Sequence, residues 1–257
     1  MDKTRFLFKN IVQETQRRKK MEELLPASRV EHPAQAQARY ASINKPEDAP
    51  KRYREHPSFN DLVKDPAHHN KPNGKTVREA MSIIESELSH AVTGPVRRPE
   101  ADNPYIDFYD GEGHPFDVKT PVSTSYDQNR GPFMPWVVSN SVTSQLTKTC
   151  HNALTGEQEP VCVLLDTSYL NQEDYEAMWR QLRMDTKDNP ELLARVYEVN
   201  VQLDDNTPVK QRRSLNPARL AQTAAAMRAE SAEKPQQPAE PVKAPLMQTL
   251  LNRLRGR

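Results

Sequence analysis

The chain has 257 residues, of which 28% are charged and 35% apolar, with a mean hydropathy of −0.87. Globular domains usually reach about 45–50% apolar residues, glycine included, so a folded middle with polar, poorly folding ends is expected rather than one core throughout. A net charge of +1 says nothing about partners, no apolar run reaches the roughly 18 residues of a membrane span, and the seven glycines form neither G-x-G-x-x-G nor G-x-x-x-x-G-K-[ST].

Met1 to Asn10 lacks an apolar stretch with a small-residue cleavage site, so no signal peptide is expected. The two cysteines, Cys150 and Cys162, make no disulfide framework and read as reduced core residues of a cytosolic protein. Residues 2–25 read as a helix from an Asp2 cap to Pro26, with the basic run Arg17-Arg18-Lys19-Lys20 as a solvated face or a phosphate contact. Residues 26–75, rich in Pro, Ala, Gln, Lys and His, read as a linker or loosely ordered arm. Within it, Tyr53, Phe59, Leu62 and Val63 can anchor a short helix around Ser58–Lys64, and His68-His69-Asn70 reads as a loop.

Thr76 opens the best helix in the chain. Thr76 and Glu79 form a capping box, Gly94-Pro95 a stop, and Val77, Ala80, Met81, Ile84, Leu88 and Ala91 one apolar stripe. Glu85 and Glu87 flank that stripe, each roughly 80° from it.

Asn103 to Pro121 follows, two short strands joined by Gly111-Glu112-Gly113. Period-2 alternation puts Ile106, Phe108, Phe116 and Val118 on an apolar face, and Asp107, Asp117 and Lys119 on the other. With the turn centred on Glu112, Asp107 stands opposite Asp117. Facing carboxylates repel, so this hairpin is poor design unless a cation sits between them.

Downstream, Ser123 to Pro135 reads as a loop, and Trp136-Val137-Val138 as a short strand or the lead into a helix. A helix capped by Ser139 or Asn140 is expected to run to about Leu154, carrying Gln145 and Lys148. Pro160 to Asp166 suits a strand buried on both faces among parallel neighbours. Residues 171–184 read as a helix, and Glu191–Gln202 as a helix or a strand. Beyond Asp204 the chain turns polar; Lys210 to Arg213 is basic, Asn216–Arg228 holds good helix formers, and 229–245 is a flexible linker. Residues 246–257 form a basic amphipathic segment suited to packing on the domain, on a docking partner or on a membrane surface.

The order helix with Glu, strand with Asp, turn, strand with Asp-x-Lys, helix with Gln and buried strand resembles the PD-(D/E)xK superfamily, the restriction-endonuclease-like nucleases. The similarity covers about residues 76–185 and is carried by I-E-S-E-L, I-D-F-Y-D-G-E-G and F-D-V-K. It is closest in kind to nuclease domains of bacterial polymorphic toxins, including contact-dependent inhibition effectors. The literal Pro-Asp pair of the motif is absent, since Pro104 stands three residues before Asp107. This leaves Asp102 open beside Asp107, with strand pairing favouring Asp107.

The resemblance implies an α/β fold with a restriction-endonuclease-like core: a helix, a mixed sheet of three to five strands and a second helix. Its divisions would be an N-terminal helix and basic arm over 1–75, a nuclease core over 76–203 and a helical or disordered tail over 204–257. It implies a magnesium-dependent endonuclease, manganese being an alternative ion, held by Asp107, Asp117, the Val118 carbonyl and Glu87, all oxygen donors. Lys119 would serve the phosphate, Glu85 or Glu87 a metal-bound water, and Gln145 the phosphate or that water. DNA is favoured over RNA. Arg97, Arg98, Lys119, Arg130, Lys148 and Lys210–Arg213 are expected to form a basic rim, and Tyr105, Tyr109, Tyr126 and Trp136 to stack on bases.

A toxin of this kind acts in the cytoplasm, its own or that of a target cell, and meets an immunity or docking protein, for which residues 246–257 are the candidate contact. Two other readings compete. Asp117 and Lys119 can be a surface ion pair worth about 0–1 kcal/mol, or the chain can be a non-catalytic scaffold using its terminal helix.

Overall fold

The computed structural model describes residues 33–100, 103, 105–209 and 212–221. The expected helix over 2–25, the linker over 229–245 and the amphipathic segment 246–257 lie outside them. The chain divides into two units, Met1–Leu215 and Asn216–Arg257. In the second, 217–221 are helical, with the Asn216 side chain accepting the Ala218 N–H.

The first unit is mixed α/β, built on a four-stranded sheet of order β1-β2-β5-β6. The strands are β1 (Phe108–Tyr109), β2 (Pro115–Lys119), β5 (Cys162–Asp166) and β6 (Val196–Val199). β1 runs antiparallel to β2; β2, β5 and β6 are parallel. β3 (Thr149–His151) and β4 (Gln158–Pro160) make a separate antiparallel pair. The buried strand expected at 160–166 is therefore β5, with a parallel neighbour on each side. Glu191–Gln202, ambiguous in sequence, resolves into a 3-10 turn and then β6.

Helices cover both faces. On one lie α1 (Pro33–Ser42), α2 (Lys51–Arg54), α3 (Phe59–Leu62) and α4 (Gly74–Leu88). On the other lie α5 (Pro135–Leu146) and α6 (Gln172–Asp185). Each face has its own core. Phe108, Phe116, Val118 and Leu164 pack with α1–α4, whereas Val163, Leu165 and Val196 pack with Val142, Leu146, Met178 and Trp179. The hairpin's apolar face is as expected, Phe108 stacking on Phe116 with ring centroids 4.9 Å apart. Ile106 departs from it and joins Cys150 and Val161 in a small separate cluster.

Residues 33–75 are not a loose arm. Tyr40, Ile43, Tyr53, Phe59, Leu62 and Val63 enter the α4-side core, and this changes α4 itself. Ten of its residues, from Thr76 to Ser86, are buried, so it is enclosed rather than striped. Its cap also differs. Asn73 is the N-cap, its side chain accepting the Lys75 and Thr76 N–H groups while the Thr76 hydroxyl accepts the Asn73 N–H. Glu79 is thereby free of any capping role. The helix ends at Leu88 rather than running on to Gly94.

α5 starts earlier and ends earlier than expected. Pro135, whose fixed φ suits the first helical position, opens it, and the chain leaves after Leu146 to form β3. Val142 and Leu146 are core residues, while Cys150 belongs to a strand.

Candidate metal centre

The β1–β2 register is Phe108↔Phe116 and Tyr109↔Pro115 and does not continue to Asp107. The ladder stops there. The Asp107 N–H donates to the Phe116 carbonyl (2.7 Å), and its carboxylate Oδ2 accepts the Val118 N–H (2.7 Å), standing in for a missing strand partner. A strand residue's N–H and C=O point to the same side, so the Val118 carbonyl emerges at the sheet edge beside Asp107.

Asp117 and Lys119 pair in register with Val163 and Leu165 and so share the α5 face of the sheet. From α5, Gln145 Nε2 donates to Asp117 Oδ1 at 2.7 Å. Lys119 Nζ lies 2.6 Å from Asp117 Oδ2, an ion pair rather than a well-directed hydrogen bond. Asp117 is only 6% exposed, which removes the reading of a solvated surface pair. Among the described residues Gln145 Oε1 is buried with no hydrogen-bond partner.

From the opposite face α4 delivers Glu79. Ligand oxygens of Asp65, Glu79 and Asp107 all lie within 4.8 Å of one another. Arg98 braces this group: Nε donates to the Leu62 carbonyl (2.8 Å), Nη1 to the Asp107 carbonyl (3.2 Å), and Nη2 stands 3.5 Å from Glu79 Oε2. Asp107 thus meets Glu79 from one side of the sheet and Asp117 from the other. Burial and then the charge of Asp107 push the Glu79 carboxyl up to about 7 and that of Asp117 up to about 6.

Glu85 and Glu87 are not brought to this centre. Glu85 accepts from the Tyr53 hydroxyl (2.7 Å) and from Arg52 (3.0 Å). Glu87 accepts the Val96 N–H (3.2 Å), tying down the segment after α4. The glutamate that α4 does supply, Glu79, was hidden by its apparent place in a capping box. The available signal was Asn73, an equally good cap three residues before Thr76. Asp102 lies outside the described residues.

The expected basic rim sorts into several environments. Lys119 and Arg98 are within the centre, and Lys148 is near enough to pull the Asp117 carboxyl down against the effect of burial. Arg97 is exposed, 5.8 Å from the Tyr109 ring centroid. Arg130 pairs with Asp127. Arg212 is structural, its guanidinium donating to the Thr167 and Leu170 carbonyls over the Tyr175 ring. Of the aromatics, Tyr126 is core, Tyr109 half-buried, and Tyr105 and Trp136 exposed.

The residues fit a hard cation. The donors are carboxylates and one backbone carbonyl, and two of the carboxyls are held against ionisation by burial and by another acid, which a cation would relieve. Among the described residues no helix is long and apolar enough to cross a membrane. Compared with family models, curated proteins and solved structures, the chain matches none.

Proposed function

We propose that the chain is a metal-dependent endonuclease that hydrolyses phosphodiester bonds, DNA being favoured, with a restriction-endonuclease-like core and the role of an antibacterial toxin or effector. The observation that carries this reading is Asp117: a buried carboxylate held by Gln145 and Lys119 and under the charge of Asp107. An ordinary hairpin gains nothing from facing acids. A magnesium or manganese site needs them.

Asp107 and Asp117 would hold the ion, with the Val118 carbonyl beside them. Bound there, the ion supplies Lewis-acid polarisation of the phosphate and a more acidic water. Lys119 Nζ offers a mobile positive charge for the phosphate oxygens, on which negative charge grows during the reaction. Gln145 is a positioning residue, fixing the carboxylate of Asp117 through its amide. Glu79, which ionises near neutrality, is suited to take a proton from an attacking water.

The test is purified chain with plasmid DNA and with tRNA, in Mg²⁺ or in EDTA. Metal-dependent cleavage that disappears in Asp117→Ala is the expected result. Cleavage at the normal rate in Asp117→Ala, or none by the unmodified chain with either ion, removes the reading.

A further inference from the structure

α5 has an unusual solvent face. Its twelve residues, P-W-V-V-S-N-S-V-T-S-Q-L, include no charge. Surface helices ordinarily place charged side chains toward water, as α6 does with Glu173, Glu176, Arg180 and Arg183. The exposed positions of α5 are instead Trp136, Val137, Asn140, Ser141 and Ser144. Trp136 is 54% exposed. The opposite face of the same helix delivers Gln145 to Asp117, about 14 Å along the axis from Trp136 at 1.5 Å per residue.

A second exposed aromatic stands at the other end. Tyr105 is 47% exposed, and Lys148, two residues beyond α5, places its Nζ 5.0 Å from the Tyr105 ring centroid. Lys148 also acts electrostatically on Asp117, so this ring and cation adjoin the carboxylates. Close to Tyr105 in the chain, Asn103 and Tyr109 line a cavity of about 340 Å³ with Arg97, Arg98 and Glu100. Two exposed aromatic rings, one of them with a cation beside it, thus stand at the two ends of α5, whose exposed face carries no charge.

We infer that the substrate of this site is a single-stranded polynucleotide, its unpaired bases stacking on Tyr105 and Trp136 while Lys148 and Arg97 take neighbouring phosphates. This rests on the nuclease reading and narrows it. Bases inside a duplex have no free face to offer an aromatic side chain, whereas unpaired bases do. Duplex binding draws mainly on rows of Lys and Arg along the phosphates, and α5, the helix bordering the centre, has none.

The test uses the full chain carrying Asp117→Ala, so that binding is read without cleavage. A labelled single strand, as DNA and as RNA, and the DNA annealed to its complement are titrated by fluorescence anisotropy. The single strand is expected to bind at least tenfold more tightly than the duplex. Adding Tyr105→Ala or Trp136→Ala, both at exposed positions, is expected to weaken it about five- to a hundredfold. The strand should also quench Trp136, since the other tryptophan, Trp179, is buried.

Equal binding of the duplex, or unchanged affinity in both aromatic variants, overturns the inference. So does a chain that self-associates through this face and becomes monomeric on Trp136→Ala. Cleavage by the unmodified chain is scored separately. Single-strand binding without Mg²⁺- or Mn²⁺-dependent cleavage keeps the binding surface and removes the nuclease. Cleavage of duplex as fast as of single strand keeps the nuclease and removes the surface.

Discussion

The two ends of the β1–β2 hairpin each gather acidic side chains, and they treat them differently. At the turn, Asp110 Oδ1 accepts the N–H groups of Glu112 and His114 at 3.0 and 2.8 Å. His114 Nδ1 lies 2.7 Å from Glu159, and Asn152 donates to the other oxygen of that carboxylate at 3.1 Å. The hydrogen bond from His114 holds the Glu159 carboxyl below the usual range, and the same bond raises His114. Burial raises Asp110, against the bonds and charge it receives from His114. At the open end, the largest influence on Glu79 and on Asp117 after burial is another acid, Asp107. Carboxylate spacing alone therefore does not mark a cation site. What distinguishes the open end is that, beside the partners Arg98, Lys75, Lys119 and Gln145, a second acid still acts on each buried carboxyl.

The largest effect should come from the open end. Asp117→Ala and Lys119→Ala should each lower cleavage by about 10²–10³-fold or more, with an unchanged circular dichroism spectrum. Next, Glu85→Ala should separate scaffold from site on the same helix. It leaves the buried Tyr53 hydroxyl without its acceptor, costing about 1–3 kcal/mol in urea unfolding, while cleavage per folded molecule stays as before.

Glu79→Gln should show the opposite trade: cleavage falls, yet the metal-free chain melts at a higher temperature at pH 8, because a carboxylate disfavoured by burial and by Asp107 is gone. The same logic sets the pH dependence. Glu79 and Asp117 ionise at about 7 and about 6 in the folded chain, against ordinary values of 4.5 and 3.8. The folded chain therefore holds more protons than the unfolded chain between those values, and the stabilisation these groups provide is full below about pH 4 and lost as pH rises to about 7. Mg²⁺, which binds the ionised forms, should raise Tm at pH 8 and barely move it at pH 5.

Much of the open end was legible in the residues. The alternation Phe108-Tyr109 and Phe116 to Lys119 around Glu112 matches the observed register, because a slip by one would have buried an acid where Phe116 now packs, whereas Ile106 lies beyond the paired strand. The run Val161 to Leu165 announced a strand covered on both faces. Gln145 was picked out as well, although its helix begins at Pro135 and not at Ser139.

What escaped reading depended on residues far apart in the chain. Tyr53, Phe59, Leu62 and Val63 were read as anchors of a short helix, which forms at Phe59–Leu62, but nothing in their spacing shows that they roof α4. With the roof unseen, α4 looked half-exposed, so Glu85 and Glu87 seemed to reach over a core edge when Tyr53, Arg52 and Val96 in fact occupy them. Glu79 was missed for the complementary reason. A local rule, the capping box, explained it fully, and only the cap at Asn73 shows that the local explanation does not apply.

The contrast between the hairpin's two ends reduces to where a divalent cation goes. A calorimetric titration of the full chain with Mn²⁺ at pH 7.5 answers this for the unmodified protein, Asp117→Ala and Glu112→Ala. Binding that is present in the unmodified chain, lost in Asp117→Ala and unchanged in Glu112→Ala is the predicted result. Binding that survives Asp117→Ala and disappears in Glu112→Ala would place the ion at the turn and contradict the account.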